Sequence, residues 1–415
     1  MLRNPAFRRL WLATTVSQFG TQVSELAIPF VAIVTLHATP FEIGLLMAVE
    51  FLPITLFSLP AGAWIDRVRR RPLLIASDVI RALVLLSIPA AYTLGVLSLL
   101  QLYVAGFTVG SLSVLFDLAY QSYLPDIVPG DELLKANSRL QISEQSASVV
   151  GPALGGSLIS LITAPLAVLV DSLSYLASAI CLVAAIRTPE AAPMPARRSP
   201  RIVSEIWEGI QYVFGHPLLR PLVLVSALIQ FFGRMVMAVL LVYLVRQVGL
   251  TAAVVGTVFS IGGIGFVLGA VIAPRVSSRF GLGGTLTVAA ILASLGPLFY
   301  ALAPRSLAAL FVAAGFFLYG LAALVWSVNS LSLRQAVTPK ALLGRVSATM
   351  RLFSWGAIPV GSLVGGLLGS AVGLHTTIVI GALGALGGSL PVILSRLRTV
   401  RSLHESALAY QPLTS

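Results

Sequence analysis

Apolar residues fall into long runs separated by short turns rich in Pro, Gly and Arg. The runs cover about 9–36, 43–65, 72–94, 97–122, 138–162, 165–186, 218–245, 252–273, 282–303, 306–329, 346–371 and 374–395. Each is long enough for one helical passage of a hydrocarbon core, which takes about 20 apolar residues. The pattern predicts an all-α polytopic membrane protein with six helices, a break, and six more. The break opens with the proline-rich stretch 187–201, which reads as an extended linker. In the next segment Ile202, Ile206, Trp207, Ile210 and Phe214 share one helical face, so an amphipathic helix on the membrane surface is expected. The predicted organisation is an N-terminal bundle over 1–186, a linker over 187–217, a C-terminal bundle over 218–395 and a tail over 396–415.

The two halves echo each other. Val128-Pro129 through Gly151, Gly155 and Gly156 recurs 210 positions on as Thr338-Pro339 through Gly361, Gly365 and Gly366. Gly62-Ala-Trp-Ile65 is echoed by Gly269-Ala-Val-Ile272. Such a repeat predicts two six-helix bundles related by an axis along the membrane normal, with a central cavity between them.

Composition agrees. Of 415 residues 57% are hydrophobic and 10% charged, against about 25% charged in soluble domains. The formal net charge of +12 invites a nucleic-acid reading, but membrane proteins concentrate Lys and Arg in cytoplasmic loops. Placing the predicted loops alternately, 22 of the 27 basic residues fall on one side and only Arg246 and Arg305 on the other. Both termini and the linker are therefore expected in the cytoplasm of a bacterial-type inner membrane, with the bilayer and a small organic substrate as partners and a monomer as the working unit. The single Cys181 cannot form an intrachain disulfide, and the four histidines lack metal-ligand spacing. No phosphate-cradling G-x-x-x-x-G-K-[ST], no H-E-x-x-H and no G-x-S-x-G occurs. No enzyme and no cofactor is expected. Transport would have to run on an ion gradient, with protons favoured over sodium.

Between the second and third runs stands Gly62-Ala-Trp-Ile-Asp66-Arg67-Val-Arg69-Arg70-Arg71. It resembles the loop signature of the major facilitator superfamily, G-x-x-x-D-R-x-G-R-R, with Arg69 where the family has Gly. The resemblance implies a cytoplasmic gate in which Asp66 braces the eleventh helix and the basic cluster forms charge-assisted bonds; Asp78 and Arg81 complete the expected gate. In the fifth run, Ala147-Ser-Val-Val-Gly151-Pro152-Ala-Leu-Gly155-Gly156 is similar to the superfamily's antiporter motif, with Ala147 for the first Gly. Its small residues also suit close helix packing. Asn4–Trp11, Asp78–Arg81, Leu124–Pro129 and Asp171-Ser-Leu-Ser-Tyr175 resemble the enterobactin-exporter and macrolide-efflux branch.

Charges inside spans are costly and point to function. The within-span acids, Glu25, Glu50, Asp78, Asp117, Glu144 and Asp171, all lie in the N-terminal half; the within-span arginines are Arg81, Arg234 and Arg351. Asp78 and Arg81 are spaced i,i+3, which favours a structural ion pair. Glu25, Glu50 and Arg234 sit at depths within roughly 5 Å of one another at 1.5 Å rise per residue. Thr14, Gln18, Gln22 and Glu25 form a polar stripe that cannot face lipid. In the superfamily, spans one, four, seven and ten line the cavity, which implies substrate contacts from Gln18, Gln22, Asp117, Tyr120, Gln230, Met237, Tyr319, Trp326 and Asn329, with Phe231 adding an aromatic surface.

These residues lead to an expected proton-coupled exporter of a moderately hydrophobic organic compound, working by alternating access. Glu25 would change protonation, since burial favours the neutral acid and a guanidinium favours the carboxylate; Glu50 would add like-charge repulsion. A permanent Glu25–Arg234 ion pair and a Glu25 that only binds cationic cargo remain open. So do a lysophospholipid flippase or solute importer on the same fold, and a membrane sensor that transports nothing.

Overall fold

A computed structural model describes residues 5–65, 68–185 and 202–401 of the chain. The helices follow the apolar runs closely: α1 Pro5–Phe30, α2 Pro40–Ile65, α3 Arg70–Thr93, α4 Leu99–Ile127, α5 Leu133–Ile162, α6 Ala164–Ala185, α7 Ile202–Gly215, α8 Leu219–Val242, α9 Ala252–Phe280, α10 Leu282–Ala301, α11 Ala308–Val337, α12 Leu343–Ala371, α13 Leu374–Gly388 and the short α14 Leu390–Leu394. π-helical turns extend α1 over Val31–Thr35 and α8 over Tyr243–Val248. Helices α4, α9 and α11 run past their apolar segments, because backbone hydrogen bonding does not stop where the hydrophobic residues do.

Among the described residues, 11 helical segments are long and apolar enough to cross a membrane. With its 26 residues α1 has the length but not the hydropathy. Thr14, Ser17, Gln18, Thr21, Gln22, Ser24 and Glu25 lower it. Neighbouring helices supply what lipid would not: α1 packs along α5 and α6.

The chain divides into two compact units. Unit 1 holds 1–198 with 249–260, and unit 2 holds 199–248 with 261–415. Within unit 1, α1 packs on α5 and α6, α3 on α4 and α6, and α2 on α4. Unit 2 repeats these pairs, with α8 on α12 and α13 and α10 on α11 and α13. Gly265 and Gly269 seat α9 on α11, where added Cβ atoms would lie 2.3 Å from the Phe317 and 2.4 Å from the Leu321 carbonyl oxygens.

The sequence repeat is equally visible in the connections. After α4, Glu132 N–H bonds to the Pro129 carbonyl at 2.9 Å; after α11, Leu342 N–H bonds to the Pro339 carbonyl at 2.9 Å. At the α5–α6 turn Thr163 has φ 80°, ψ 155°. Its counterpart 210 positions on, Gly373, has φ 92°, ψ 158° before α13. This left-handed extended region suits glycine and strains a β-branched side chain by roughly 1–3 kcal/mol. Thr163→Gly is therefore expected to stabilise the protein by about 1 kcal/mol, after subtracting the extra freedom glycine gives the unfolded chain. A higher thermal midpoint in detergent checks this.

The segment between the halves is helical from Ile202 to Gly215, as its spacing predicts. Residues 187–201 lie outside the described residues, and α7 docks on α12 along one edge of its apolar face, through Gly209, Tyr212, Val213 and Phe214. Gly209 meets the Arg345 backbone, where a Cβ would lie 2.8 Å from its carbonyl oxygen. Val213 is fully buried, and Tyr212 Oη donates to the Val337 carbonyl at 3.2 Å. Phe214 and Phe353 pack edge to face with centroids 5.1 Å apart. Arg345 pairs with Glu208 and with Glu205, the latter at 3.6 Å. Trp207 is left 59% exposed. Gly209 and the two acids, which hydrophobic spacing does not mark, complete the docking face beside Val213 and Phe214.

Candidate functional site

The deepest polar groups of unit 1 cluster where α1, α3, α4 and α6 meet. Asp78 and Arg81 are buried, one turn apart on α3, and form the ion pair their spacing predicts. The Arg81 guanidinium also donates to Ser113 Oγ at 3.2 Å and lies between two rings, 4.5 Å from the Phe116 centroid and 4.2 Å from that of Tyr175. Ser178 Oγ donates to Asp78 Oδ2 at 2.6 Å. Such a buried pair is tolerable only because nearly every donor and lone pair is matched. It sits inside one bundle, as a structural pair would.

On α1 the polar stripe divides. Thr14 and Ser17 bond to carbonyls of their own helix, and Trp11 Nε1 donates to Ser143 Oγ at 2.9 Å. Thr21 Oγ1 lies 2.9 Å from Tyr175 Oη on α6. Gln18 and Gln22 are half-buried, whereas Glu25 is exposed and accepts from Gln22 Nε2 at 3.0 Å. Asp117 and Glu144 are exposed too. Tyr120 is half-buried and stacks on Phe116, with centroids 6.3 Å apart. Glu50 is half-buried on α2, and its carbonyl is where α4 comes nearest, since a Cβ on Gly110 would lie 2.5 Å from it.

Gly62 lies near the end of α2; Asp66 and Arg67 lie outside the described residues. Two of the remaining arginines of the loop signature reach helix carbonyls. Arg70 donates to the Ser122 carbonyl of α4 at 2.9 Å, and Arg71 to the Val183 carbonyl of α6 at 3.0 Å. Arg9 donates to the neighbouring Ala184 carbonyl. Val183 and Ala184 lie in the last turn of α6, where carbonyls have no intrahelical partner and carry partial negative charge, so guanidinium groups stabilise them.

The glycine motif of α5 has two working faces. Gly151 and Gly155 meet α1: added Cβ atoms would lie 2.4 Å from Gln22 Cβ and 3.1 Å from Val23 Cα. In unit 2, Gly361 and Gly365 meet Phe231 and Met235 of α8 in the same way. Pro152 and Gly156 turn to the start of α9. A Cβ on Gly156 would lie 2.2 Å from the Ala252 carbonyl, and one on Gly256 2.1 Å from the Pro152 carbonyl. Two serines close this crossing reciprocally: Ala153 N–H donates to Ser260 Oγ at 3.0 Å and Ala253 N–H to Ser160 Oγ at 3.1 Å.

In unit 2, Gln230, Arg234 and Met237 are half-buried along α8. Tyr319 is half-buried against Phe266, with centroids 6.1 Å apart. Trp326 and Asn329 lie deeper, at 6% and 4% exposure; Trp326 Nε1 donates to Ser226 Oγ at 3.1 Å, and Asn329 Nδ2 to the Val325 carbonyl of its own helix. No Asp or Glu occurs between Gly209 and His404, so the acids of the membrane region all belong to the first half. Among the described residues no group of three or more His, Cys, Asp or Glu could hold a metal ion.

Sequence reasoning singled out Asp171 as a costly acid but gave it no place in the site. It is 1% exposed and sits beside Ser172, Ser174 and Ser178, all buried. Asp171, Ser174, Tyr175 and Ser178 recur at i, i+3, i+4 and i+7. That is the same helical stripe argument that marked α1, and it would have found them.

Residues 1–414 match a family profile described as transmembrane secretion effector, MFS_3. The multidrug efflux pump Tap of Mycolicibacterium fortuitum is 26% identical over 411 residues, covering 95% of this chain and 97% of Tap. The enterobactin exporter EntS of an Escherichia coli O1:K1 strain is 23% identical, covering 83% and 80%. The fold is shared with a bacterial homologue of the iron transporter ferroportin crystallised in an inward-facing state: TM-score 0.75 at 17% identity, covering 95% of this chain and 98% of that one.

Proposed function

Since the chain belongs to the transmembrane secretion effector family of the major facilitator superfamily and is a membrane transporter, we propose that it exports a moderately hydrophobic organic compound in exchange for protons. Alternating access would carry the cargo, in a bacterial inner membrane with both termini cytoplasmic and the protein acting as a monomer without a cofactor. The coupling group is Glu25, with Glu50 and Arg234 as the further charges assigned to that step.

The observation that carries this reading is the position of Glu25. It is an exposed carboxylate at the end of a stripe whose other members, Thr14, Gln18 and Gln22, are buried or half-buried, and Gln22 donates a hydrogen bond to it. A carboxyl that solvent can reach can take and release protons, whereas a sealed one such as Asp78 cannot. The efflux and export functions named for Tap and EntS support the direction.

Glu25→Gln keeps the Gln22 contact but holds the position neutral. Cells expressing it are expected to accumulate ethidium as cells without the protein do, while the wild type keeps ethidium out until the pH gradient is collapsed. Gradient-driven efflux undiminished in Glu25→Gln would remove Glu25 from the mechanism. Higher ethidium inside wild-type cells than in empty ones would mark an importer.

A further inference from the structure

Two guanidinium groups converge on the last turn of α6 from its neighbours α1 and α3, both of which pack along it. Arg9 of α1 donates to the Ala184 carbonyl, and Arg71 of α3 donates to the Val183 carbonyl at 3.0 Å. The two carbonyls are consecutive, so the two cations stand side by side at one helix end. Both side chains are half-buried, and neither makes an ion pair with an acid among the described residues. Arg71 Nε is buried without a hydrogen-bond partner, so the protein does not saturate this guanidinium.

The charge there is far from balanced. A helix C-terminus carries about half a negative charge, which leaves a surplus of about 1.5 positive charges against two guanidinium groups. The chain beyond α6 adds to the surplus: residues 187–201 contain Arg187, Arg197, Arg198 and Arg201 against the single Glu190.

Beside these charges runs a strip of apolar surface with no protein over it. On α6, Leu173, Ile180 and Val183 recur at i, i+7 and i+10 and are 59%, 68% and 57% exposed. On α1, Leu12 and Val16 follow Arg9 at i+3 and i+7, on the same helical face, and are exposed as well. The α6 segment is apolar enough to cross a membrane and runs to Ala184. Arg9 and Arg71 therefore stand where hydrocarbon gives way to headgroups, with apolar side chains leading inward from them.

Positive charge at the boundary and hydrocarbon surface beneath it match the two ends of one molecule, an anionic phospholipid. We propose that Arg9 and Arg71 hold one such lipid: its phosphate sits between the two guanidinium groups at the end of α6, and its acyl chains lie along Val183, Ile180 and Leu173. A phosphodiester supplies the single negative charge that the surplus calls for. Each guanidinium keeps donors beyond the one given to its carbonyl, so the lipid adds to the helix-end bonds without replacing them.

Native mass spectrometry of the full-length protein released from detergent micelles counts bound lipids and gives the affinity of the first. Dioleoyl phosphatidylglycerol is expected to bind more tightly than dioleoyl phosphatidylcholine, which has the same chains and no net charge. Glycerol phosphate, which offers the phosphate without chains, should bind far more weakly than phosphatidylglycerol. Arg9→Gln and Arg71→Gln should each weaken phosphatidylglycerol roughly 5-fold, and the double variant roughly 25-fold, with phosphatidylcholine unaffected. Arg275→Gln removes an equal charge from another arginine that donates to a helix carbonyl, and should change nothing. The double variant Arg9→Lys with Arg71→Lys keeps both charges and should keep the preference for phosphatidylglycerol, which separates charge recognition from a damaged helix end. Equal affinity for the two lipids overturns the proposal. So does a double glutamine variant that binds as Arg275→Gln does, a lysine pair without the preference, or glycerol phosphate held as tightly as the lipid. None of these readings involves transport or Glu25, so the exporter reading is tested separately.

Discussion

Arg81→Met is expected to cost about 3–5 kcal/mol of stability, the usual range for breaking a buried ion pair from one side. Methionine fills much of the space between Phe116 and Tyr175 but leaves Asp78 fully buried with only Ser178 to hydrogen-bond. The cost therefore comes from the orphaned carboxylate more than from lost packing. That distinction is measurable. Adding Asp78→Leu to Arg81→Met removes the stranded charge and should recover most of the loss, whereas a packing defect would only deepen. Thermal or urea unfolding of the detergent-solubilised protein, followed by tryptophan fluorescence, reads both variants. A single variant within about 1 kcal/mol of the wild type would mean that the pair is reached by water, contrary to the 0% and 4% exposures of its members.

The second large effect is expected at the α5–α9 crossing. Gly156→Val would drive a branched side chain into the Ala252 carbonyl, which already lies 2.2 Å from where the first carbon would go. Backbone cannot swing aside as a side chain does, so the helices must separate, and the Ser160 and Ser260 hydrogen bonds across the crossing are lost with them. Overpacking of this kind costs typically 1–3 kcal/mol. Two further hydrogen bonds at about 1 kcal/mol each bring the expected loss to roughly 3–5 kcal/mol. Gly233→Ala is the matched control: nothing lies within 4 Å of a Cβ there, and alanine in an open helical position is neutral or stabilising by up to about 1 kcal/mol. Equal thermal midpoints for the two variants would dismiss the crossing as a point of close contact.

What could be read from residues and what could not divides along a physical line. Spans were legible because hydropathy is summed over one helix and needs no partner. The repeat was legible because Pro129 and Pro339 punctuate the chain identically, and the turns after α4 and α11 carry the same hydrogen bond. Asp78 and Arg81 were legible as a pair because three residues on one helix face the same way whatever surrounds them. The glycines of α5 announced close approach, yet nothing in the motif says that Gly151 meets α1 while Gly156 meets α9.

The polar stripe of α1 shows the boundary most clearly. Periodicity grouped Thr14, Gln18, Gln22 and Glu25, but it could not tell that Thr14 would be 5% exposed while Glu25 lies open. Nor could it show that Asp171, nearly 150 positions away, would be pressed against Gly20. By itself the sequence determined the membrane class, the helical segments and the twofold plan, all of which follow from solvent preference and 3.6-residue geometry within single segments. Tertiary structure alone decided which acid is sealed, which is exposed and which face of α7 docks. Burial and charge compensation are properties of side chains brought together from distant helices, and no local pattern carries them.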